Sequence, residues 1–191
     1  MSVREVVQIG DPMLRQPARE LNPEEIDSPE VQRLIDDLID TKRAAHGAGI
    51  AANQVGEPVR VAIVEVEEGN LRYPYKPPVP LTVMINPALE PLGNETVEIN
   101  EGCLSVPDLR GSLSRHPAVR VHYLDRHGAP HEEVKRGLTA GSFQHEIDHL
   151  NGTLFVDRAD PKTFATWEQF DRHQREEFVW RATRLTDEMG S

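Results

Sequence analysis

Apolar residues recur along the chain with two different periods. Val31, Leu34, Ile35, Leu38 and Ile39 form one stripe of a 3.6-residue helix. Ser28 can cap that helix and Pro29 suits its first position, so it is predicted to start there. Gly47 is predicted to end it, because glycine tolerates the left-handed terminus. VRVAIVEV, Val59 to Val66, is β-branched and mostly apolar and predicts a strand, with EEGN as the turn after it. LTVMIN, Leu81 to Asn86, predicts a buried strand. AVRVHYLD, Ala118 to Asp125, alternates; a turn at His127-Gly128 and a returning strand in HEEVK, His131 to Lys135, follow.

Gly137 to Leu150 reads as a helix stopped by Asn151-Gly152. A last helix is predicted from about Pro161 to Asp187, with Phe164, Trp167, Phe170, Phe178 and Leu185 on one face. The opening segment, with Pro12 and Pro17, reads as loop. The four prolines of RYPYKPPVP, Arg72 to Pro80, exclude a helix or a central strand and predict an extended surface loop. A polyproline-II segment that binds a partner is the alternative there. Short strands around one central helix, with a helix at each end, predict an α+β fold: antiparallel β-sheets packed around that central helix. No internal repeat or domain break interrupts the pattern. The expectation is a single domain over residues 1–191, with about 161–191 as a C-terminal helical extension.

Composition narrows the function. The formal net charge of −11 disfavours a general nucleic-acid binder, which carries a basic patch, and disfavours adsorption to anionic membranes. The acidic excess is a solvated surface. One cysteine makes no internal disulfide, which fits a reducing compartment. The opening MSVREVVQIGDPML has no apolar core for a signal peptide, and no apolar run approaches membrane-spanning length. A cytoplasmic enzyme or binding protein is expected.

The strongest local signal is QHEIDHLNG, Gln144 to Gly152. His145 and His149 lie four apart on the predicted helix, so both imidazoles project from one face and can grip one metal ion. Glu146 is placed to reach a metal-bound water, the arrangement of H-E-x-x-H metal hydrolases. A catalytic site of this kind takes a third protein ligand. The metzincin position for it is Phe155, which excludes that class. Glu168 is one candidate, as in thermolysin-like peptidases; Cys103, whose thiolate suits iron, zinc, nickel or cobalt, is the other. Gly102 before it lets the backbone approach the metal. GAGIAANQVG, Gly47 to Gly56, is a small-residue run ending in the Gln54 amide, which can steady an oxyanion or simply close a tight turn. Asp148 either orients a ligand histidine or solvates the helix; Glu101 is expected as an ion-pair partner of Arg115. His46, His116, His122, His127, His131 and His173 lack ligand-like spacing and are expected to be surface or satisfied residues.

Three stretches together, GAGIAANQ (Gly47 to Gln54), EGCLS (Glu101 to Ser105) and QHEIDH (Gln144 to His149), resemble the peptide deformylase family in motif and order. IGDPMLR, Ile9 to Arg15, resembles its usual opening, and the resemblance spans about Val6 to Asp157. It implies one divalent metal on Cys103, His145 and His149 with a water as fourth ligand: Fe²⁺ in the cell, with Zn²⁺, Ni²⁺ or Co²⁺ able to replace it. It implies Glu146 as general base, and Gln54 with the Leu104 backbone N–H as oxyanion donors. The implied substrates are formyl-methionyl nascent peptides of a bacterial cytoplasm, and formate is the product.

By the same resemblance, Ala48, Gly49 and Gly102 offer backbone groups to the peptide. Ile99, Leu138, Ser142 and His145 line the methionine pocket, and Arg110 lies near the peptide's later residues. Three features depart from the family pattern: Asn53, the small polar pair Gly141-Ser142, which implies a roomier methionine pocket, and the proline-rich loop. In some relatives a C-terminal extension contacts the ribosome; here its mixed charges favour a helix packed on the domain through Trp167 and Phe170. Two other functions remain open: a true peptidase using Glu168, and a non-enzymatic metal-holding adaptor.

Overall fold

The computed structural model describes residues 2–70, 72–73 and 75–190. After a short helix α1 (Pro23–Ile26), helix α2 (Pro29–Ala44) starts where the sequence says: Ser28 Oγ accepts from Val31 N and Pro29 takes the first position. Its end differs from expectation. The helix stops at Ala44, and the residue with positive φ is His46, at 52°, not Gly47. Gly47 is small for another reason: a Cβ there would lie 3.1 Å from Leu104 Cδ1.

The larger sheet is five-stranded and antiparallel, in the order β1-β2-β3-β6-β7. Its strands are β1 (Gly49–Ala51), β2 (Val61–Val66), β3 (Val79–Pro91), β6 (Ala118–Leu124) and β7 (Pro130–Arg136). β3 runs well past the predicted segment on both sides, and its register shifts between Ile85 and Ala88, where Asn86 takes a φ of 50°. Val79 and Pro80 open the strand, where a proline is tolerated.

The second sheet is a two-stranded hairpin of β4 (Val97–Cys103) and β5 (Val106–Arg115). Periodicity did not point to it, because its buried positions include Asn100, Glu101, Ser112 and Arg115. Its register shifts between Gly102 and Cys103, a bulge that re-aims the cysteine side chain.

Helix α3 (Gly137–Leu150) lies between the sheets, packed against β1, β2 and β7 on one side and the C-terminal α5 (Arg175–Met189) on another. All its residues except His145 are buried, as expected of a central helix. The predicted single C-terminal helix is two: α4 (Trp167–His173) and α5, broken at Gln174. Phe164 precedes α4 in extended conformation and packs over Gly111, so it does not share the helical face. The break lets the buried Phe170 and Phe178 meet edge to face, with ring centroids 5.8 Å apart.

The proline-rich stretch is not a surface loop. Tyr73 is buried, Tyr75 and Lys76 are half-buried, and the loop folds inward over α3. The two tyrosines explain this: Tyr73 packs on Trp167, centroids 6.1 Å apart, and Tyr75 on Phe178, 5.1 Å apart.

Candidate active site

One cleft is lined by the small-residue run, the β4–β5 hairpin, α3 and the inward loop. At its floor, one ligand atom each from Cys103, His145 and His149 lies within 4.8 Å of the others. Cys103 Sγ is 3.1 Å from His149 Nε2, and the two imidazole centroids are 5.0 Å apart. Helix spacing presents both rings on one face, and the hairpin bulge brings the sulfur to meet them. Two buried atoms here, Glu146 Oε2 and His149 Nδ1, have no protein partner among the described residues. A thiolate with two imidazoles, beside orphaned polar atoms, fits a divalent transition-metal ion.

The electrostatics match this donor set. Burial alone pushes the Cys103 thiol up, but the His149 charge and hydrogen bonds from both imidazoles outweigh it and hold the thiol well below its ordinary value. Burial works against the His145 imidazolium, yet bonds to Cys103 and Glu101 keep it well above.

The side chain that orients His145 was not assigned that task from sequence. His145 Nδ1 donates to Glu101 Oε2 at 2.8 Å. Glu101 takes Arg115 Nε and Nη2 as a fork, at 2.8 and 2.9 Å, so the expected ion pair is present. Arg115 Nη1 continues to Asp148 at 2.5 Å, and Asp148 also accepts from Arg158. Asp148 therefore reaches His145 only through Arg115 and Glu101. Burial opposes the Glu101 charge, but Arg115 and His145 prevail and hold its carboxyl far below the usual range. The sequence carried one signal: Glu101 lies two residues before Cys103, close enough in the chain for both to reach one site.

Glu146 is placed differently. Its side chain lies against Gly49, where a Cβ would sit 2.7 Å from both Cγ and Cδ. It has no ion pair among the described residues, and burial pushes its carboxyl up to about 7, against the pull of His145 and His149. Gln54 sits in the 3-10 turn Ala52–Val55. Its Oε1 accepts from Ala51 N at 2.9 Å; its Nε2 donates to Ser105 Oγ at 3.0 Å and lies 3.6 Å from Cys103 Sγ. Leu104 occupies the turn of the hairpin, on the cleft wall. Asn53, fully buried, donates to the His149 carbonyl at 2.6 Å and ties that turn to α3.

Ala48, Gly49, Gly102, Ile99, Leu138 and Ser142 all line the same cleft. Ile99 Cδ1 lies 3.0 Å from where a Gly141 Cβ would be, so Ile99 fills much of the room left by that small residue. Arg110 is fully buried, stacked between Trp167 and Phe170 at 4.3 and 4.2 Å. Its Nε and Nη2 serve Asn100, Nη2 also meets Tyr75 Oη at 3.2 Å, and Nη1 has no partner among the described residues. Glu168 is far from this arrangement: it is exposed on α4 and pairs with Arg172. Of the histidines expected outside the site, His46, His122, His127, His131 and His173 are exposed, and His116 is half-buried against the Glu95 carbonyl.

The sequence model of the family described as Polypeptide deformylase matches residues 3–165. "Peptide deformylase 2" of Nostoc sp. is 45% identical over 155 residues, which cover 81% of this chain and 85% of that protein. A crystal structure of class I type b peptide deformylase from Acinetobacter baumannii aligns with a TM-score of 0.80 at 38% identity, over 84% of this chain and 100% of that one. A second crystal structure of that enzyme, bound to Met-Ala-Ser, aligns with a TM-score of 0.77 at 37% identity, over 83% and 100%.

Proposed function

The chain belongs to the polypeptide deformylase family, and on that premise we propose how its own residues divide the work. The activity is removal of the N-formyl group from the N-terminal formylmethionine of newly made polypeptides, with release of formate. The enzyme is a metal-dependent hydrolase. The observation that carries the reading is the convergence of Cys103, His145 and His149 with Glu146 pressed beside them.

Cys103, His145 and His149 hold one divalent ion, Fe²⁺ in the cell, with Zn²⁺, Ni²⁺ or Co²⁺ as substitutes. When bound, such an ion supplies Lewis acidity, acidifying water and polarising a carbonyl oxygen. Glu146 takes the proton of the attacking water and returns it to the leaving nitrogen; its buried carboxyl, with one oxygen unpartnered among the described residues, is placed for both transfers. The Gln54 side-chain amide and the Leu104 backbone N–H are the donors for the oxyanion. Glu101 fixes the orientation of the His145 ring, and Arg115 fixes Glu101.

The peptide lies as an added strand. Among the described residues, β1 ends the larger sheet and β4 pairs only with β5, so each offers a free edge beside the cleft. Ala48, Gly49 and Gly102 supply backbone groups there. Ile99, Leu138 and Ser142 receive the first side chain, and Arg110 stands by the later residues. Residues 1–191 work as one domain, with 161–191 closing the Arg110 side. No helix among the described residues is long and apolar enough to cross a membrane. A bacterial cytoplasm, where formyl-methionyl chains emerge, is the proposed place of action, with only transient contact to the ribosome.

The peptidase alternative loses its ligand, because Glu168 is exposed and paired elsewhere. The test is anaerobic: protein loaded with Fe²⁺ or Ni²⁺ is offered formyl-Met-Ala-Ser and, separately, Met-Ala-Ser. Formate from the first peptide alone is expected. Cleavage within either peptide, or no formate from fully metallated protein, overturns the reading.

A further inference from the structure

This chain is strongly acidic, at −11, yet the peptide cleft has cations in its wall as well as Glu101 and Glu146. Two cations face it without a carboxylate partner among the described residues. Arg110 is one, with Nη1 unpaired. Lys76, from the inward proline-rich loop, is the other. Its Nζ donates to Ser142 Oγ at 2.8 Å and stands 4.9 Å from the Tyr73 ring centroid. Ser142 in turn donates to the Leu138 carbonyl at 3.3 Å, so its hydroxyl proton is already committed. An ammonium has three donors. Among the described residues, only one of those on Lys76 has an oxygen acceptor.

Lys76 pays for this position: burial pushes its pKa down to about 8, although Glu101 and Glu146 pull it up through space. A lysine that served only to cover Tyr73 with its stem would gain by turning its ammonium outward to water. Here it points inward, onto a pocket residue. The cleft that Lys76 and Ser142 both line has ≈ 40 Å³ free, room for a few waters. A first side chain seated on Ser142 lies beside the ammonium that Ser142 holds.

The first side chain of a formyl-methionyl peptide is a thioether, a weak acceptor that offers Lys76 little. Its oxidised form, the sulfoxide, is polar and presents a strong oxygen acceptor. We propose that Lys76 is a specificity-determining residue: with Ser142 it lets the pocket take formyl-methionine sulfoxide, so that chains oxidised at their first residue are still deformylated. This rests on the deformylase reading. The sulfoxide oxygen accepts from the Lys76 ammonium, and the apolar part of the side chain keeps Ile99 and Leu138. No bond to sulfur is made or broken.

The experiment compares kcat/KM for formyl-Met(O)-Ala-Ser and formyl-Met-Ala-Ser, using anaerobically metal-loaded protein. In the wild type, the ratio of sulfoxide to thioether is expected to be near one or above. In Lys76→Met, which keeps the stem and removes the donor, the ratio falls about tenfold or more. Lys76→Arg, which keeps a donor, holds the ratio within about threefold of the wild type. A merely structural role would lower both rates together and leave the ratio in place. Discrimination by the wild type against the sulfoxide of more than about tenfold overturns the proposal without any variant. So does a folded Lys76→Met with an unchanged ratio. If Lys76→Met does not fold, Lys76→Leu, which also removes the donor, is read in the same way. Formate from neither peptide overturns the deformylase reading instead, and is seen before any ratio is taken.

Discussion

Two buried glutamates stand on either side of His145, and the fold treats them in opposite ways. Glu101 is on a strand, gripped by the Arg115 fork and by His145 Nδ1. Glu146 is on the helix, pressed against Gly49, with one oxygen unpartnered among the described residues. Burial opposes both charges. The fork and the imidazole overcome it at Glu101 and hold that carboxyl far down; at Glu146 burial wins and raises the carboxyl to about 7. Two like groups with environments that drive their proton affinities apart mark a division of labour. Glu101 is a fixed anion that positions a ligand. Glu146 is free to gain and lose a proton.

The largest effect that tests this contrast is on turnover. Glu146→Gln keeps the shape and removes the base, so kcat is expected to fall about 10³-fold in steady-state formate release, with folding intact. A second effect is on the stability of the metal-free protein. Glu146, whose folded pKa is raised, binds more protons folded than unfolded, so stability declines as pH rises from about 4.5 to about 7. Glu101 has the reverse sign: its contribution is present above about 4.5 and is lost as pH falls through its depressed folded value. Urea unfolding at pH 8 should therefore find metal-free Glu146→Gln more stable than wild type, by up to ~3 kcal/mol. At pH 4 that gap closes. Next, Gly49→Ala puts a methyl where Glu146 now lies; displacing the base should cost about 10²-fold in kcat/KM, with little change in metal content. The smallest effect is at the positioning carboxylate. Glu101→Gln should weaken metal affinity by about 10- to 100-fold in a competition titration, and activity should follow occupancy.

How far the sequence reaches depends on what each residue answers to. The α3 boundaries, Gly137 to Leu150, and the α2 cap at Ser28 are local matters and were legible. The β4–β5 hairpin was not, because it buries Asn100, Glu101, Ser112 and Arg115 among its apolar residues and so breaks the apolar alternation. The end of α2 was misplaced for a related reason: Gly47 is small because Leu104 packs over it, while His46 takes the left-handed turn. The C-terminal break at Gln174 answers to Phe170 and Phe178, which meet only in three dimensions. In the site, the spacing of His145 and His149 and the reach of Glu146 follow from helix geometry. Spacing alone left Cys103 and Glu168 open as third ligand; the family resemblance chose Cys103, and the hairpin brings its sulfur to the two histidines. Lys76 was hidden among prolines, although the two tyrosines beside it were a sign that the stretch packs inward.

The most direct measurement is formate release per bound metal for wild type, Glu146→Gln and Glu101→Gln, with metal and rate determined on the same anaerobic samples. The account predicts that Glu146→Gln keeps its metal and loses about 10³-fold in rate per metal. Glu101→Gln should lose metal first and keep most of its rate per metal. Full rate per metal in Glu146→Gln, or the larger loss per metal in Glu101→Gln, would contradict it.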